Sequence, residues 1–241
     1  MIDVLRASTT IVTALAAGAG FVLPTADVEE ARRQRERLPD GTLLGGERGG
    51  TRIAGFDLGN SPAEYAPAAV AGRGIVMTTT NGTAALARCT AARERLIGCL
   101  VNRRAVAAAA VELAAAGNGQ VHLVCAGTDG VVTDEDLLGA GGILTAGVDL
   151  LPPGAAFNHD LAGGVALAAF RYHASTDDPT ASLVRAFTLA PGGANLVGLG
   201  MASDLPLAAA IDRFAVVPRL CPQTGRLLPL EPIQTLPELL Q

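Results

Sequence analysis

Short apolar runs alternate with longer amphipathic or alanine-rich runs along most of the chain. Strands usually span a few residues and helices ten or more, so the two run lengths separate the two kinds of element. The predicted strands are residues 2–5, 21–23, 74–79, 95–100, 121–125 and 214–217. The predicted helices are residues 9–17, 28–38, 83–92, 103–116, 135–151, 159–172, 180–189 and 205–212.

This alternation is typical of an α/β protein, and we predict a three-layer α/β/α architecture with a largely parallel or mixed sheet. The whole chain, residues 1–241, is expected to form one such unit. Two lobes at about 1–130 and 131–218, with the site between them, are an alternative. The proline-rich residues 219–241 predict a hairpin and an irregular arm.

Polar residues follow three of the predicted strands, at Asp3–Thr9, Thr78–Thr83 and Cys125–Gly130. In open α/β sheets, ligands bind outside the carboxyl ends of the strands, and the following helices add free N–H groups that favour anions. We therefore predict an anion pocket at these strand ends, with Arg6 as a fixed positive charge. Helix capping by the hydroxyls and a plain Asp3–Arg6 ion pair are the simpler alternatives.

Glycine pairs flank Glu47 and Arg48, and the string Asn60-Ser61-Pro62 predicts the start of a helix. Glycine lets the backbone take positive φ and approach a ligand closely, so this segment is expected to join the pocket. A surface turn with a solvated ion pair is the alternative.

Carboxylates are the candidate metal ligands, because Mg²⁺ is held by one or two carboxylates together with water and substrate oxygens. The three histidines form no pair with metal-binding spacing. Acidic residues at helix starts also complement the helix dipole without any metal. The predicted metal ligands are Asp3, Glu47, Asp136 and Asp160.

Composition removes several function classes. All 18 basic residues are arginine, which excludes Schiff-base lysines and the lysine of a phosphate-binding loop. The net charge is −5 and aromatics are 3%, so neither nucleic acid nor a membrane is an expected partner. Four scattered cysteines without a close pair favour a reducing cytoplasm, although residues 7–26 are uncharged like a short signal peptide.

Familiar phosphatase signatures are absent. Leu5 stands where an aspartyl-phosphate enzyme needs a second acid after Asp3, and Val131 stands where a cysteine phosphatase needs an arginine after Cys125. Cys125 stays among the candidate catalytic residues, but we predict that it is dispensable as a nucleophile.

At these residues the chain resembles the 2-phosphosulfolactate phosphatase (ComB) family, over about residues 2–160 and more loosely to about 218. The matching strings are residues 2–11 (IDVLRASTTI), 44–48 (LGGER), 55–62 (GFDLGNSP), 78–83 (TTTNGT) and 124–128 (VCAGT), followed by Glu135 and Asp136. The resemblance implies a Mg²⁺-dependent phosphomonoesterase that acts on a small sulfonated lactate phosphate in the route to coenzyme M. Members of the family are expected to carry an additional strand before the Asp3 segment.

The candidate site combines both lines of reasoning. Removing Arg6 is expected to lower activity more than stability. A non-catalytic anion-binding or regulatory protein and a phosphatase for another phosphorylated hydroxy acid stay as alternatives, and a homo-oligomer is left open. The candidate catalytic residues are Asp3, Arg6, Glu47, Arg48 and Cys125, and the candidate substrate-binding residues are Ser8, Thr9, Asn60, Ser61, Thr79, Thr80, Asn81, Gly82, Thr83 and Gly127.

Overall fold

The computed structural model describes residues 1–117, 119–151 and 158–231. Its sheet has six strands in the order β3-β2-β4-β1-β6-β5. The pairs β1–β4 and β2–β4 are parallel, and the pairs β2–β3, β1–β6 and β5–β6 are antiparallel, so the sheet is mixed. The strands are β1 (Phe21–Pro24), β2 (Leu43–Arg48), β3 (Thr51–Arg52), β4 (Gly74–Thr78), β5 (Pro218–Leu220) and β6 (Leu227–Pro229).

Helices make up most of the remaining regular structure. Two 3₁₀ turns, Pro62–Glu64 and Leu100–Asn102, join them. The α-helices are α1 (Ala7–Ala16), α2 (Val28–Glu36), α3 (Pro67–Val70), α4 (Gly82–Arg88), α5 (Arg103–Gly117), α6 (Asp134–Asp149), α7 (Leu161–Ala174), α8 (Pro179–Leu189), α9 (Pro191–Gly198) and α10 (Asp204–Ala209).

The two faces of the sheet are covered by different helices, because successive side chains along a strand point to opposite faces. On β4, Ile75 and Met77 belong to the large core that includes Ile11 of α1. Val76, between them, packs with Ala31 of α2 in a second, smaller cluster. This helix–sheet–helix layering confirms the predicted α/β fold class and the mixed sheet.

The second half of the chain is mainly helical, and glycines let its helices approach closely. A methyl group added at Gly141 of α6 would collide with the carbonyl oxygen of Ala166 in α7. One added at Gly139 would lie 2.6 Å from a methyl carbon of Val4. Helix α6 is thereby packed between α7 and the N-terminal segment, which brings its first turn next to Asp3.

The predicted strands at 21–23 and 74–79 are confirmed, as is the C-terminal hairpin that β5 and β6 form. The predicted strand at 214–217 is displaced to Pro218–Leu220. All eight predicted helices exist with shifted ends, whereas α3 and α9 were not predicted. Residues 232–241 of the predicted arm lie outside the described residues.

The predicted strands at 2–5, 95–100 and 121–125 are wrong, since each forms only an isolated bridge, Ile2 with Cys125 and Leu96 with Arg219. In two of these segments, a side-chain oxygen accepts from a backbone N–H group that would otherwise bond to a neighbouring strand. The hydroxyl of Ser8 accepts from the N–H of Asp3, and the Asn102 amide oxygen accepts from the N–H of Cys99. Such local acceptors compete with sheet pairing.

The segment around Glu47 is a strand, β2, rather than the glycine-rich loop predicted from the sequence. Its glycines serve packing within the protein. A methyl group at Gly45 would lie 2.5 Å from the Tyr65 hydroxyl, and one at Gly46 would collide with the carbonyl oxygen of Thr78. Positive φ, which favours glycine, occurs at Gly46 within the strand (148°) and in the turn that follows, at Gly49 (58°) and Gly50 (86°).

Among the residues described, no helix has both the length and the apolar character needed to cross a bilayer.

Candidate functional site

Asp3 and Asp136 bind the backbone at the centre of the site. The carboxylate of Asp136, in the first turn of α6, accepts from the N–H groups of Val4 at 2.8 Å and Gly127 at 2.9 Å. Asp3 accepts from the N–H of Ala7 at 3.1 Å, at the start of α1. Two of the three segments predicted at strand ends, residues 3–9 and 125–130, therefore meet here, and the Asp136 carboxylate hydrogen-bonds to both.

The start of α4 brings the third strand end to the same place. A methyl group added at Gly82 would lie 2.6 Å from Oδ2 of Asp3, so the glycine permits this close approach. Thr79 and Thr83 cap the helix reciprocally, because each hydroxyl accepts from the backbone N–H of the other residue. Asn81 is half-buried beside them.

Glu47, at the end of β2, connects this region to the following turn. Its Oε1 accepts from the N–H of Thr80 at 2.8 Å, and its Oε2 accepts from the N–H of Gly50 at 2.7 Å. The Thr80 hydroxyl also donates to Oε2, at 3.2 Å. Glu47 is 7% exposed, so a buried carboxylate fixes the geometry of both loops.

Burial raises the pKa of Asp3 from its ordinary 3.8 to about 8, and the nearby negative charge of Asp136 is the next cause. The hydrogen bond from Ala7 lowers this pKa, while Glu47 and Glu135 raise it further. Four acidic side chains thus influence one another in a poorly solvated region. Such an arrangement stores electrostatic free energy that a bound cation would release.

Glu135 was passed over in the prediction in favour of its neighbour Asp136. Burial raises its pKa, as it also raises the pKa of Asp136. Its Oε2 makes no hydrogen bond of good geometry, and neither does the nearby Thr133 hydroxyl, although that hydroxyl lowers the pKa of Glu135. A buried carboxylate oxygen without a donor is costly, and a ligand that supplies positive charge would satisfy it. The acidic run 134–136 was the signal in the sequence.

These residues fit a hard cation in their chemistry, since the donors are carboxylate oxygens and one of them lacks a partner. Across the described ranges, however, no three acidic, histidine or cysteine side chains converge closely enough to form a complete ligand set. Mg²⁺ ordinarily keeps several waters and needs only one or two carboxylates, so the two observations agree. Asp3 and Glu135 are the side chains best suited to hold it.

Arg6 is buried, at 4% exposure, and its ion-pair partner is Asp204 rather than Asp3. Nη1 donates to Oδ2 of Asp204 at 2.8 Å and also contacts the sulfur of Met201 at 3.0 Å. Nη2 donates to the carbonyl oxygen of Gly50 at 2.6 Å. The Asp3–Arg6 ion pair considered from the sequence is therefore wrong, because the guanidinium group extends towards the start of α10.

The hydroxyl-bearing candidates mostly contact protein. Ser61 donates to Oδ1 of Asp204 at 2.6 Å, and Thr9 donates to the carbonyl oxygen of Val4 at 2.8 Å. Ser8 accepts from Asp3, as described above. Oδ1 of Asn60, by contrast, is buried without a partner, which leaves one polar group available to a ligand.

The remaining candidates differ in exposure. Arg48 is exposed and donates to the hydroxyl of Thr78 at 3.0 Å, so it lies on the outer side of the β4 end. Cys125 is half-buried, and burial raises the pKa of its thiol to about 12, with the charge of Asp136 contributing. Its thiol is protonated at neutral pH, which supports the prediction that it is dispensable as a nucleophile.

Asp160 is not brought together with the other carboxylates. It is exposed and caps α7, where its side chain accepts from the N–H of Gly163 at 2.7 Å. Capping satisfies the first turn of a helix without a metal. Nothing in this placement supports its predicted role as a metal ligand.

An apolar cavity of about 500 Å³ lies elsewhere, next to Ile2 and lined by side chains such as Leu96, Val106 and Leu123. None of the candidate site residues lines it. Arg93, Arg95 and His122 also line this mainly apolar cavity, but the buried carboxylates around Asp3 lie outside it. We therefore assign the site to the residues around Asp3. That Arg6, Arg48, Asn81 and Cys125 surround one cavity stays a prediction.

Comparison with known proteins identifies the family that this chain resembles in sequence. The family model described as 2-phosphosulpholactate phosphatase matches residues 1–223. A protein of Deinococcus radiodurans named "Probable 2-phosphosulfolactate phosphatase" is 43% identical over 223 residues, which cover 92% of this chain and 87% of the relative. A protein of Carboxydothermus hydrogenoformans with the same name is 39% identical over 232 residues, which cover 95% of this chain and 88% of the relative.

Proposed function

Because the chain belongs to the 2-phosphosulfolactate phosphatase family, a family of phosphoric monoester hydrolases, we propose that it hydrolyses 2-phosphosulfolactate to sulfolactate and phosphate with the help of Mg²⁺. The observation that carries this proposal is the group of buried acidic side chains around Asp3, which lies where three chain segments meet. Use of the product in coenzyme M synthesis, a cytoplasmic location and a homo-oligomer stay expectations.

Two of the buried carboxylates are the proposed metal ligands. Asp3 and Glu135 would hold Mg²⁺, which neutralises charge on phosphoryl oxygens and so lowers the barrier to transfer. Asp136 serves a different purpose. Its two oxygens accept from the backbone of Val4 and Gly127, so it fixes the loops that present the other groups.

Because the chain contains no lysine, arginines, backbone N–H groups and hydroxyls are the groups that would bind the anionic substrate. Arg6 would contribute the donors of its planar guanidinium group that Asp204 and Gly50 leave free. Arg48 supplies a second, exposed cation. Together with the Thr80–Thr83 segment at the start of α4, they would bind a ligand that carries phosphate, sulfonate and carboxylate groups. Phosphoryl transfer needs mainly this positioning and charge neutralisation.

The decisive experiment compares substrates. Phosphate release would be measured for 2-phosphosulfolactate and for 2-phospholactate, which lacks the sulfonate, each with Mg²⁺ and with a chelator. The proposal predicts Mg²⁺-dependent release with a kcat/KM at least tenfold higher for 2-phosphosulfolactate. Equal values would indicate a phosphatase of other phosphorylated hydroxy acids. Binding of 2-phosphosulfolactate without any release would indicate an anion-binding protein.

A further inference from the structure

Asp204 is a buried acidic residue that the sequence did not single out. It opens α10 and is 1% exposed, and its side chain pairs with that of Arg6 although 198 residues separate them. A buried ion pair loses hydration on both partners, and for this reason it contributes little net stability compared with apolar packing. Its presence beside the site calls for a role other than holding the fold together.

Both oxygens of the Asp204 carboxylate are engaged. Oδ2 accepts from Arg6 at 2.8 Å, while Oδ1 accepts from the hydroxyl of Ser61 at 2.6 Å. The carboxylate plane is therefore fixed from two sides. Because Arg6 Nη1 donates to this fixed oxygen, the orientation of the guanidinium group follows that of the carboxylate.

The hydrogen bonds continue from Arg6 into the carboxylates of the site. Nη2 of Arg6 donates to the carbonyl oxygen of Gly50, and the N–H of the same glycine donates to Glu47. Glu47 in turn accepts from the N–H of Thr80, just before α4. A rotation of the guanidinium group would thus disturb the turn that holds Glu47.

We propose that Asp204 is the positioning residue for Arg6, and that Ser61 acts on the reaction by orienting Asp204 and not by contacting the substrate. The inference rests on the proposed function, because it assigns Arg6 to the phosphate or sulfonate of the substrate. Nη1 and Nη2 of Arg6 each donate one hydrogen bond within the protein, and the donors that are left would bind the anion. Asp204 also balances the Arg6 charge while the site is empty.

The test uses Ser61→Ala and Asp204→Asn in the full chain, with Ser182→Ala as the matched control. Ser182 is also a buried serine that bonds to a side chain, the ring of His173 at 2.9 Å, away from the site. The readouts are kcat and KM for 2-phosphosulfolactate, the inhibition constant of inorganic phosphate, and the melting temperature.

We expect Ser61→Ala to lower kcat by about three- to tenfold and to weaken phosphate inhibition, with a melting temperature close to that of Ser182→Ala. Asp204→Asn should lower kcat by at least tenfold. In an Arg6→Lys background the fork is already lost, so adding Ser61→Ala should change kcat by less than twofold. If Asp204→Asn does not fold, the inference is still tested by Ser61→Ala, its control Ser182→Ala, and the double variant of Arg6→Lys with Ser61→Ala.

Ser61→Ala with the kcat of Ser182→Ala would overturn the inference. So would a full, additive loss in the Arg6→Lys background, because Ser61 would then act on the substrate independently of Arg6. Failure of the proposed function looks different: the wild type itself would release no phosphate from 2-phosphosulfolactate, and the inference would fall with it.

Discussion

Replacing Asp3 by asparagine separates what the site costs in stability from what it contributes to activity. The pKa of Asp3 rises from 3.8 to about 8 on folding, because the carboxyl is buried and lies near Asp136. Between these two values the folded state binds a proton that the unfolded state releases, so this group lowers stability as pH rises through that window. Below pH 3.8 the destabilisation is absent, and above about 8 it is complete.

The magnitude follows from the size of the shift. At pH 7 the unfolded carboxyl is 3.2 units above its pKa, since 7 minus 3.8 is 3.2, and each unit corresponds to about 1.4 kcal/mol. Keeping Asp3 protonated in the folded protein therefore lowers stability by on the order of 4 kcal/mol at pH 7. Asparagine keeps an oxygen for the N–H of Ala7 and carries no charge. Asp3→Asn should melt roughly 10 °C above the wild type at pH 8, because about 1 kcal/mol corresponds to about 2–4 °C for a chain of this size, and it should equal the wild type near pH 4.

The assay is thermal unfolding at pH 4 and pH 8 in the presence of a chelator, with Asp178→Asn as control. Asp178 is exposed and caps α8 by accepting from the N–H of Ala181, and asparagine caps equally well. The control should show no pH-dependent gain. Added Mg²⁺ should raise the melting temperature of the wild type more than that of Asp3→Asn. A destabilised Asp3→Asn at pH 8, or a difference that does not depend on pH, would refute the reasoning.

Three further substitutions test other parts of the account. Arg6→Ala should lower kcat at least tenfold and destabilise the fold by about 3–5 kcal/mol, because Asp204 is left buried and unpaired. This replaces the expectation from the sequence that activity would suffer more than stability, and a normal melting temperature would contradict it. Cys125→Ser should keep most of the activity, since the raised thiol pKa keeps the group protonated, and a folded but inactive variant would restore a nucleophilic role. Asp160→Asn should leave Mg²⁺-dependent kcat unchanged, because the residue is exposed and caps α7; a rise in the Mg²⁺ concentration needed for half-maximal activity would make it a metal ligand.

The ion pair between Arg6 and Asp204 could not be predicted from the sequence. The sequence placed Arg6 after an apolar run and before a helix, which is correct for α1. Its partner lies 198 residues further on, in a helix start that carries no distinctive motif. Pairing over such a distance depends on tertiary packing, so no local pattern could have indicated it.

Features that depend only on residues close together in the chain could be predicted from the sequence. The apolar run at β4 and the hydroxyl-rich start of α4 were predictable, because β-strand patterning and hydrogen bonds at a helix start act within a few residues. The strand β2 was missed because Gly45 and Gly46 are poor strand formers; the close approach of Tyr65 and Thr78, together with the positive φ of Gly46, explains them. Glu135 was missed because the acidic run 134–136 does not show which of its carboxylates is buried without a partner.

The most direct test of the central claim is the turnover of 2-phosphosulfolactate by the wild type and by Asp3→Asn, measured as released phosphate at saturating Mg²⁺ and pH 7. If Asp3 belongs to the metal-binding carboxylates of a phosphatase, kcat falls by at least about a hundredfold, on the order of 2.7 kcal/mol in the barrier, in a variant that is as stable as the wild type or more so. A folded Asp3→Asn with wild-type kcat and an unchanged requirement for Mg²⁺ would contradict the account.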